Sequence, residues 1–481
     1  MAHGLERVTG AALGPYQSAV VRIGFAATWL LFLLREWPHR HELYGPDSPW
    51  GWDLAERLVD SNGAFTILLW SDSESWFEFV YLFAMAASLA LLLGWRTRAA
   101  SVLFMVGVLG LQNRSVFMGD GGDNVIHLIA MYLVLTRCGQ VWSLDARRAR
   151  ARETSSPPGD ATGVVLWSVL GAILFGATSV GGFSTGWALF LWGLWLIHGL
   201  WWTVNRLAPE GEPRRVCDIL ANLAHNGALL VIMAEVCLIY ATAGWYKIQG
   251  SRWQDGTAAY YPLHLDYFSP WPWLGDLVAS SGTAIMVMTY ATVITQVAFP
   301  FTLFNRRVKN VLLAVMIAEH LSIAVLMGLP FFSMAMIAAD AVFLPTALLV
   351  WLGARASGLG ARVRGRLPAR RRPATDPSAD PFEADDPGDG PGPHPADRSG
   401  EHRDPAYAAP PVHASASPTG PDPALPAQRT VATGASPADG SAGAGAPADG
   451  ARRTDGEQPS GRDEPDGGNR LSWGRPDSPD G

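Results

Sequence analysis

Up to about Val350 this chain alternates long apolar runs with short polar pieces. Ten runs stand out, at roughly 17–35, 76–95, 98–115, 123–137, 162–182, 186–204, 225–247, 282–304, 308–328 and 331–352. A helix crossing a bilayer core of about 30 Å needs about twenty apolar residues. The pattern therefore predicts an all-α, polytopic integral membrane helix bundle of about ten transmembrane helices. Gly, Pro and ionisable residues interrupt several runs, and the fourth and eighth have the least sharp edges. No charged segment, short apolar stretch and small-residue cleavage site precede the first run, so a retained N-terminal anchor is expected rather than a cleaved signal peptide.

The pattern stops near Ala356. From there the chain is Pro, Gly, Ala, Ser, Asp and Arg with almost no large apolar residue. A stretch such as "PSADPFEADDPGDGPGPHPADRSG" cannot bury enough apolar surface to offset its chain entropy. Two regions follow: a transmembrane domain over 1–355 and a disordered cytoplasmic tail over 356–481. The net charge of −7 sums these two materials and identifies no partner.

Charge on the short loops sets orientation. The loops after runs two, four, six and eight are basic ("WRTR", "RCGQVWSLDARRARAR", "NRLAPEGEPRR", "FNRRVK"), and so is the chain after run ten. The loops after runs one, three, five and seven hold acids, glycines and aromatics, the longest being "SRWQDGTAAYYPLHLDYFSPWPWLGD". Because Lys and Arg collect on the cytoplasmic side, both termini are expected in the cytoplasm of a multi-pass plasma-membrane protein. The Arg runs are accounted for by this topology and by anionic lipid, so the bilayer and not nucleic acid is the partner they imply.

Ionisable residues inside apolar runs are costly and mark protein interiors or wet cavities. Here they sort by depth. Glu235, Glu319, His320 and Asp340 lie near the middle of their runs, and Arg114, Asp120, Asp123, His127 and Lys247 near the outer ends. Asp123 and His127 are four apart and share a helical face, where a carboxylate can orient an imidazole. Asp120 and Asp123 also suit the plainer task of capping a helix. The three mid-depth acids suit a proton relay or structural hydrogen bonding, and depth alone does not decide between these.

Lys247 is the sharpest signal. A lysine at a helix end ordinarily snorkels to water, and the aromatics that follow suit an interfacial belt. Yet the chain has only Lys247 and Lys309 in a background of arginine. Arginine is permanently protonated, whereas a desolvated lysine can act as a base. Tyr240, Gly244 and Lys247 share one face, and Gly244 leaves room for a close neighbour. As a base, Lys247 is expected to be enclosed. The three cysteines, Cys138, Cys217 and Cys237, have neither paired nor metal-ligand spacing, and no phosphate loop, dinucleotide fingerprint or zinc pattern occurs.

Three stretches together resemble the HTTM domain, the membrane domain shared with vitamin K-dependent gamma-glutamyl carboxylase: "GDNVIHLIAMYLVLTRCGQVWSLD", "YATAGWYKIQGSRWQDGTAAYY" and "LGWRTRAAS". The resemblance spans runs one to ten, with 163–203 as an insertion and the tail outside. It implies that Lys247, three residues after Ala243-Gly244, is the base that takes a proton from a reduced quinone of the menaquinone or vitamin K type. Trp253 and Gly256 match the tryptophan and glycine that follow, one residue further along than in the carboxylase. No metal is implied. The carboxylase's large luminal substrate-binding region has no counterpart here.

The first functional expectation is a quinone-coupled membrane enzyme of carboxylase-like or quinone-oxidising type, with Lys247 as base and His127 and Asp123 supporting it. Arg114, Asp120, Tyr240, Trp253, Glu235, Glu319, His320 and Asp340 then line its cavity. The alternative is a transporter, or a maturation or export factor for a secreted peptide, that uses Glu235, Glu319 and Asp340 as an acidic relay. A third is a structural partner acting through its tail.

Overall fold

The computed structural model describes residues 2–115, 117, 119–152 and 160–366. Twelve of its helices carry the architecture. They are α1 (Ala2–Gly10), α2 (Pro15–Arg35), α3 (Glu74–Leu93), α4 (Thr97–Gln112), α5 (Gly121–Leu133) and α6 (Ala161–Ser179). Then follow α7 (Thr185–Leu207), α8 (Glu212–Gln249), α9 (Gly282–Ala298), α10 (Arg306–Leu326), α11 (Pro330–Asp340) and α12 (Thr346–Arg366). Short helices occupy the loops, and no strand occurs among the described residues.

Every one of the ten apolar runs is helical, but ten full-length spans are not seen. Seven helices (α2, α3, α6, α7, α8, α9 with its 3-10 extension to Thr302, and α10) are long and apolar enough to cross a membrane. The tenth run is not one rod. α11 and α12 meet at a bend of 117° and make an eighth span only when counted together. α4 has 16 residues and α5 has 13, short of the length a bilayer core requires. The expected tail boundary at 356 is not an end of structure either, because α12 runs on to Arg366; the rest of the tail lies outside the described residues.

The bend has a local cause. Pro345 lacks an N–H and forces Leu344 out of helical geometry, to φ −63°, ψ 139°. That strands carbonyls which an apolar interior cannot leave unpaired. Lys309 Nζ donates to the carbonyl of Phe343, and Gln17 Nε2 donates to that of Leu344 at 2.8 Å. The second of the chain's two lysines is thus a cap for broken backbone.

α2 runs through the centre, where Phe25, Trp29 and Leu33 are fully buried against α3 and α11. Arg22 of α2, also fully buried, donates to the carbonyls of Leu92 (2.9 Å), Cys138 (3.2 Å) and Trp142 (2.8 Å). It ties the end of α3 to the loop that follows α5. From that loop Asp145 accepts from the backbone N–H of Arg96 (2.9 Å) and Thr97 (2.6 Å) and from the Thr97 hydroxyl (2.7 Å). "WSLD" and "LGWRTRAAS" are therefore two halves of one structural clasp, the acid capping α4 where its first amides have no helical partner.

α8 spans 38 residues, about 57 Å at 1.5 Å per residue. Its first turns carry Asn222, His225 and Asn226 on one face, which bind the last carbonyls and N–H of the α1 region: Val8, Thr9 and Leu13. α6 and α7 form an outlying hairpin locked by Trp167 and Trp195. Their rings stack at 3.9 Å, and each indole N–H donates to the other's backbone carbonyl.

Candidate functional site

Lys247 lies two residues before the end of α8, and Gly244 one turn earlier lets α9 approach. A Cβ at Gly244 would sit 2.7 Å from Val297 Cγ2 and 3.2 Å from the Val297 backbone nitrogen, so glycine there sets the α8–α9 distance. The neighbour of Val297, Gln296, is buried, and its carboxamide is spent twice. Its Oε1 accepts from Lys247 Nζ at 2.9 Å, and its Nε2 donates to Glu319 Oε1 of α10 at 2.8 Å. Three helices thus contribute to one chain of ammonium, amide and carboxylate. The amide orientation follows from chemistry, since a carboxylate only accepts and an ammonium only donates.

Trp253, in the short helix after α8, places its ring 5.3 Å from Lys247 Nζ, within cation–π reach. The turn that follows depends on Gly256, at φ +79°, where a Cβ would meet the Tyr290 ring at 3.2 Å. Tyr290 donates to the Gln254 carbonyl at 2.9 Å and fixes this turn to α9. Lys247 is half-buried rather than enclosed. Trp245 and Tyr246 beside it are exposed on the outside of the bundle.

A second polar cluster lies one layer deeper. Tyr240 of α8, His320 of α10 and Asp340 of α11 are 2%, 3% and 0% exposed. The Tyr240 hydroxyl is 3.0 Å from His320 Nε2 and 3.0 and 3.1 Å from the two Asp340 oxygens. Two proton orders fit this geometry. Either His320 donates to Tyr240 and Tyr240 to a carboxylate, or a protonated Asp340 donates to Tyr240 and Tyr240 to the imidazole. With His320 protonated at Nδ1 throughout, switching from imidazolium and carboxylate to neutral imidazole and carboxylic acid moves one proton through the phenol without moving a heavy atom. His320 Nδ1 has no hydrogen-bond partner among the described residues.

The division by depth does not hold for Lys247, which the fold joins to Glu319. Nor are the three acids one relay. Glu235 has no hydrogen bond to Glu319 or Asp340 among the described residues, and its Oε2 is buried without a partner. Asp120 and Asp123 cap α5 reciprocally: Asp120 Oδ1 accepts from the N–H of Gly122 and Asp123, and Asp123 Oδ2 from the N–H of Asp120 at 2.9 Å. Asp123 does not orient His127 through a hydrogen bond. Both line a different cavity, about 290 Å³, whose lining includes neither Lys247 nor Glu319. Arg114 is not in that lining and donates to the Gly45 carbonyl at 3.0 Å.

Phe332 of α11 packs between these two regions. Its ring is 5.7 Å from that of His320, and the same residue abuts Gly121 and Gly122 at the start of α5. Gln296 is the residue that sequence reasoning passed over, being an uncharged amide in "VITQVAFP". The signal available was a strong polar group in an apolar run, which needs partners when buried. No group of His, Cys, Asp and Glu suited to a metal occurs among the described residues. No family model, curated protein or solved structure matches the chain.

Proposed function

We propose that this chain is a plasma-membrane enzyme in which Lys247 accepts a proton from a substrate that arrives through the lipid. The observation that carries this reading is the Lys247–Gln296–Glu319 chain. A lysine meant only as half of an ion pair would meet its carboxylate directly. Here a neutral amide oxygen stands between, and both an amine and an ammonium can donate to it, the ammonium more strongly. The lysine can therefore gain or lose a proton without breaking its contact. Glu319 supplies a negative charge one residue away that favours the protonated form once made.

The substrate we propose is a reduced quinone of the menaquinone or vitamin K type, as the resemblance to the HTTM domain implies. Such a molecule supplies an acidic hydroxyl on a flat ring. The residues at hand fit a flat ring coming from the bilayer: Trp253 lies over the lysine, and Trp245 and Tyr246 flank it on the exposed surface. The test is consumption of reduced menaquinone under oxygen by the full chain in nanodiscs. Lysine-dependent consumption is expected, with Lys247→Ala inactive; equal rates for the two proteins would overturn the assignment.

The topology proposed with it has ten crossings, α4 and α5 being short ones, and both termini in the cytoplasm. The Arg-rich loops support it. Cysteines placed at Arg206 and at Ser251 should label from opposite sides of the membrane.

A second reading, a proton-coupled transporter or a maturation or export factor for a secreted peptide, is favoured by one feature. The helix break next to Asp340 lies beside the Tyr240–His320–Asp340 cluster, an arrangement found in transporters with discontinuous helices. Proton uptake into proteoliposomes that Asp340→Asn abolishes and Lys247→Ala spares would favour this reading over the enzyme.

A further inference from the structure

The polar cavity between the outer ends of α4 and α5 is independent of the Lys247 site, and we infer that it binds a primary ammonium group. Its volume is about 290 Å³, and its lining includes Tyr44, Asn62, Gln112, Asn113, Asp123 and His127. That is close to the lower bound of ordinary ligand pockets, about 300 Å³, and too roomy for a bare ion.

The argument rests on which hydrogen-bonding groups remain unspent. Gln112 directs its Nε2 toward Asp123 (3.4 Å), and Asn113 its Nδ2 to the Phe65 carbonyl (2.7 Å). Each amide therefore has its oxygen left over. Asp123 accepts one good hydrogen bond, from the Asp120 N–H at 2.9 Å, and the long one from Gln112. A carboxylate offers about four acceptor positions, and no cation among the described residues pairs with this one. Tyr44 is the independent sign of a ligand. It is 3% exposed and lines the cavity, and its hydroxyl has no hydrogen-bond partner among the described residues. The residue is buried and opens onto the cavity, so a partner for its hydroxyl has to come from what occupies that cavity, water or ligand.

Next to Asp123 the unspent groups of Gln112 and Asn113 are therefore acceptors flanking one negative charge. Asn62, whose Oδ1 accepts from the Ala64 N–H at 2.8 Å, keeps its amide N–H groups as donors in the same lining. A primary ammonium brings a positive charge and three N–H donors, which match the carboxylate and the two amide oxygens. A carboxylate or phosphate would meet Asp123 as a like charge. Arg114, near in sequence, is not in the lining; it donates to the Gly45 carbonyl through Nη2, with Nε and Nη1 buried without a partner among the described residues. The ammonium can belong to a small free amine or, in the topology proposed above, to an ethanolamine lipid headgroup, because the cavity lies at helix ends.

Two arms separate these sources, with the full chain in nanodiscs. In phosphatidylcholine discs, calorimetric titration with ethanolamine tests the free amine, with ethylene glycol as the uncharged control. In discs containing phosphatidylethanolamine and no soluble amine, the rise in melting temperature tests the headgroup. Binding in either arm that Asp123→Asn weakens at least tenfold, or a melting rise that it abolishes, is the expected result. Tyr44→Phe guards against misfolding, because its hydroxyl holds no internal contact. It should leave the ligand-free melting temperature unchanged and weaken binding several-fold. No response in either arm, equal binding of ethylene glycol, or indifference to both substitutions would overturn the inference.

Discussion

Lys247 and Glu319 are held apart by one carboxamide: Gln296 accepts from the lysine at 2.9 Å and donates to the glutamate at 2.8 Å. An amide does not pass a proton on as water or a phenol does, so this bridge holds charge in place and does not conduct it. Replacing it by a carboxylate should change the chemistry without changing the shape. Gln296→Glu is expected to form a direct ion pair with Lys247 and to remove quinol consumption while the protein still folds. Gln296→Leu strands both partners, with a cost of about 1–3 kcal/mol for each buried group left unpaired. Thermal melts of the two variants, read beside activity, separate these effects.

The spacing of α8 and α9 rests on Gly244. Because a Cβ there would press on the Val297 backbone, Gly244→Ala should push the helices apart and lengthen the Lys247–Gln296 contact. Activity is expected to fall more than tenfold, with a smaller loss of stability of about 1–3 kcal/mol. Equal activity in Gly244→Ala and wild type would show that the close approach is not needed.

Tyr240 is the centre of the deeper cluster, and its hydroxyl serves two partners at once. Tyr240→Phe leaves both Asp340 and His320 without it and should destabilise the bundle by about 1–3 kcal/mol per orphaned group. Asp340→Asn keeps an oxygen for the phenol and should cost less. The order of melting temperatures, wild type above Asp340→Asn above Tyr240→Phe, checks this.

The clasp made by Asp145 is structural and lies away from the site. Asp145→Ala removes the cap from α4 and is expected to cost about 1–2 kcal/mol, leaving residual activity per folded molecule unchanged. Lys309→Met acts at the helix break instead, stranding the Phe343 carbonyl. Lys309→Arg, which can still donate, should recover most of the loss. Denaturation in mixed micelles reads all three.

Hydropathy made the positions of the helices legible, because each apolar run is long and is bounded by charge or glycine. It did not reveal which runs are short or broken, for two reasons. Averaging over 331–352 hid Pro345, the residue that breaks the run, and a mean apolarity cannot tell a 13-residue helix such as α5 from a crossing one. The extension of α8 to Glu212 was hidden by polarity, although Asn222, His225 and Asn226 at i, i+3 and i+4 carry a helical signature. Lys247, Glu319, His320 and Asp340 were visible as ionisable residues in apolar runs. Their pairing was not, because it depends on how α8, α9, α10 and α11 rotate against one another. Gln296 and Arg22 escaped notice for opposite reasons: one is uncharged, and the other sat near the start of a run where a basic residue attracts no attention.

Proton uptake by Lys247 from its substrate can be tested directly, because the composition of the chain singles this lysine out. With Lys247 and Lys309 as its only lysines, protein labelled with 15N-lysine gives two side-chain signals by NMR, assigned with Lys309→Arg. Addition of reduced menaquinone in nanodiscs is predicted to move the Lys247 signal toward the protonated form, leave Lys309 unmoved, and have no effect on Lys247 in Gln296→Glu. A Lys247 signal that is fully protonated beforehand and does not respond to the quinol would contradict the account.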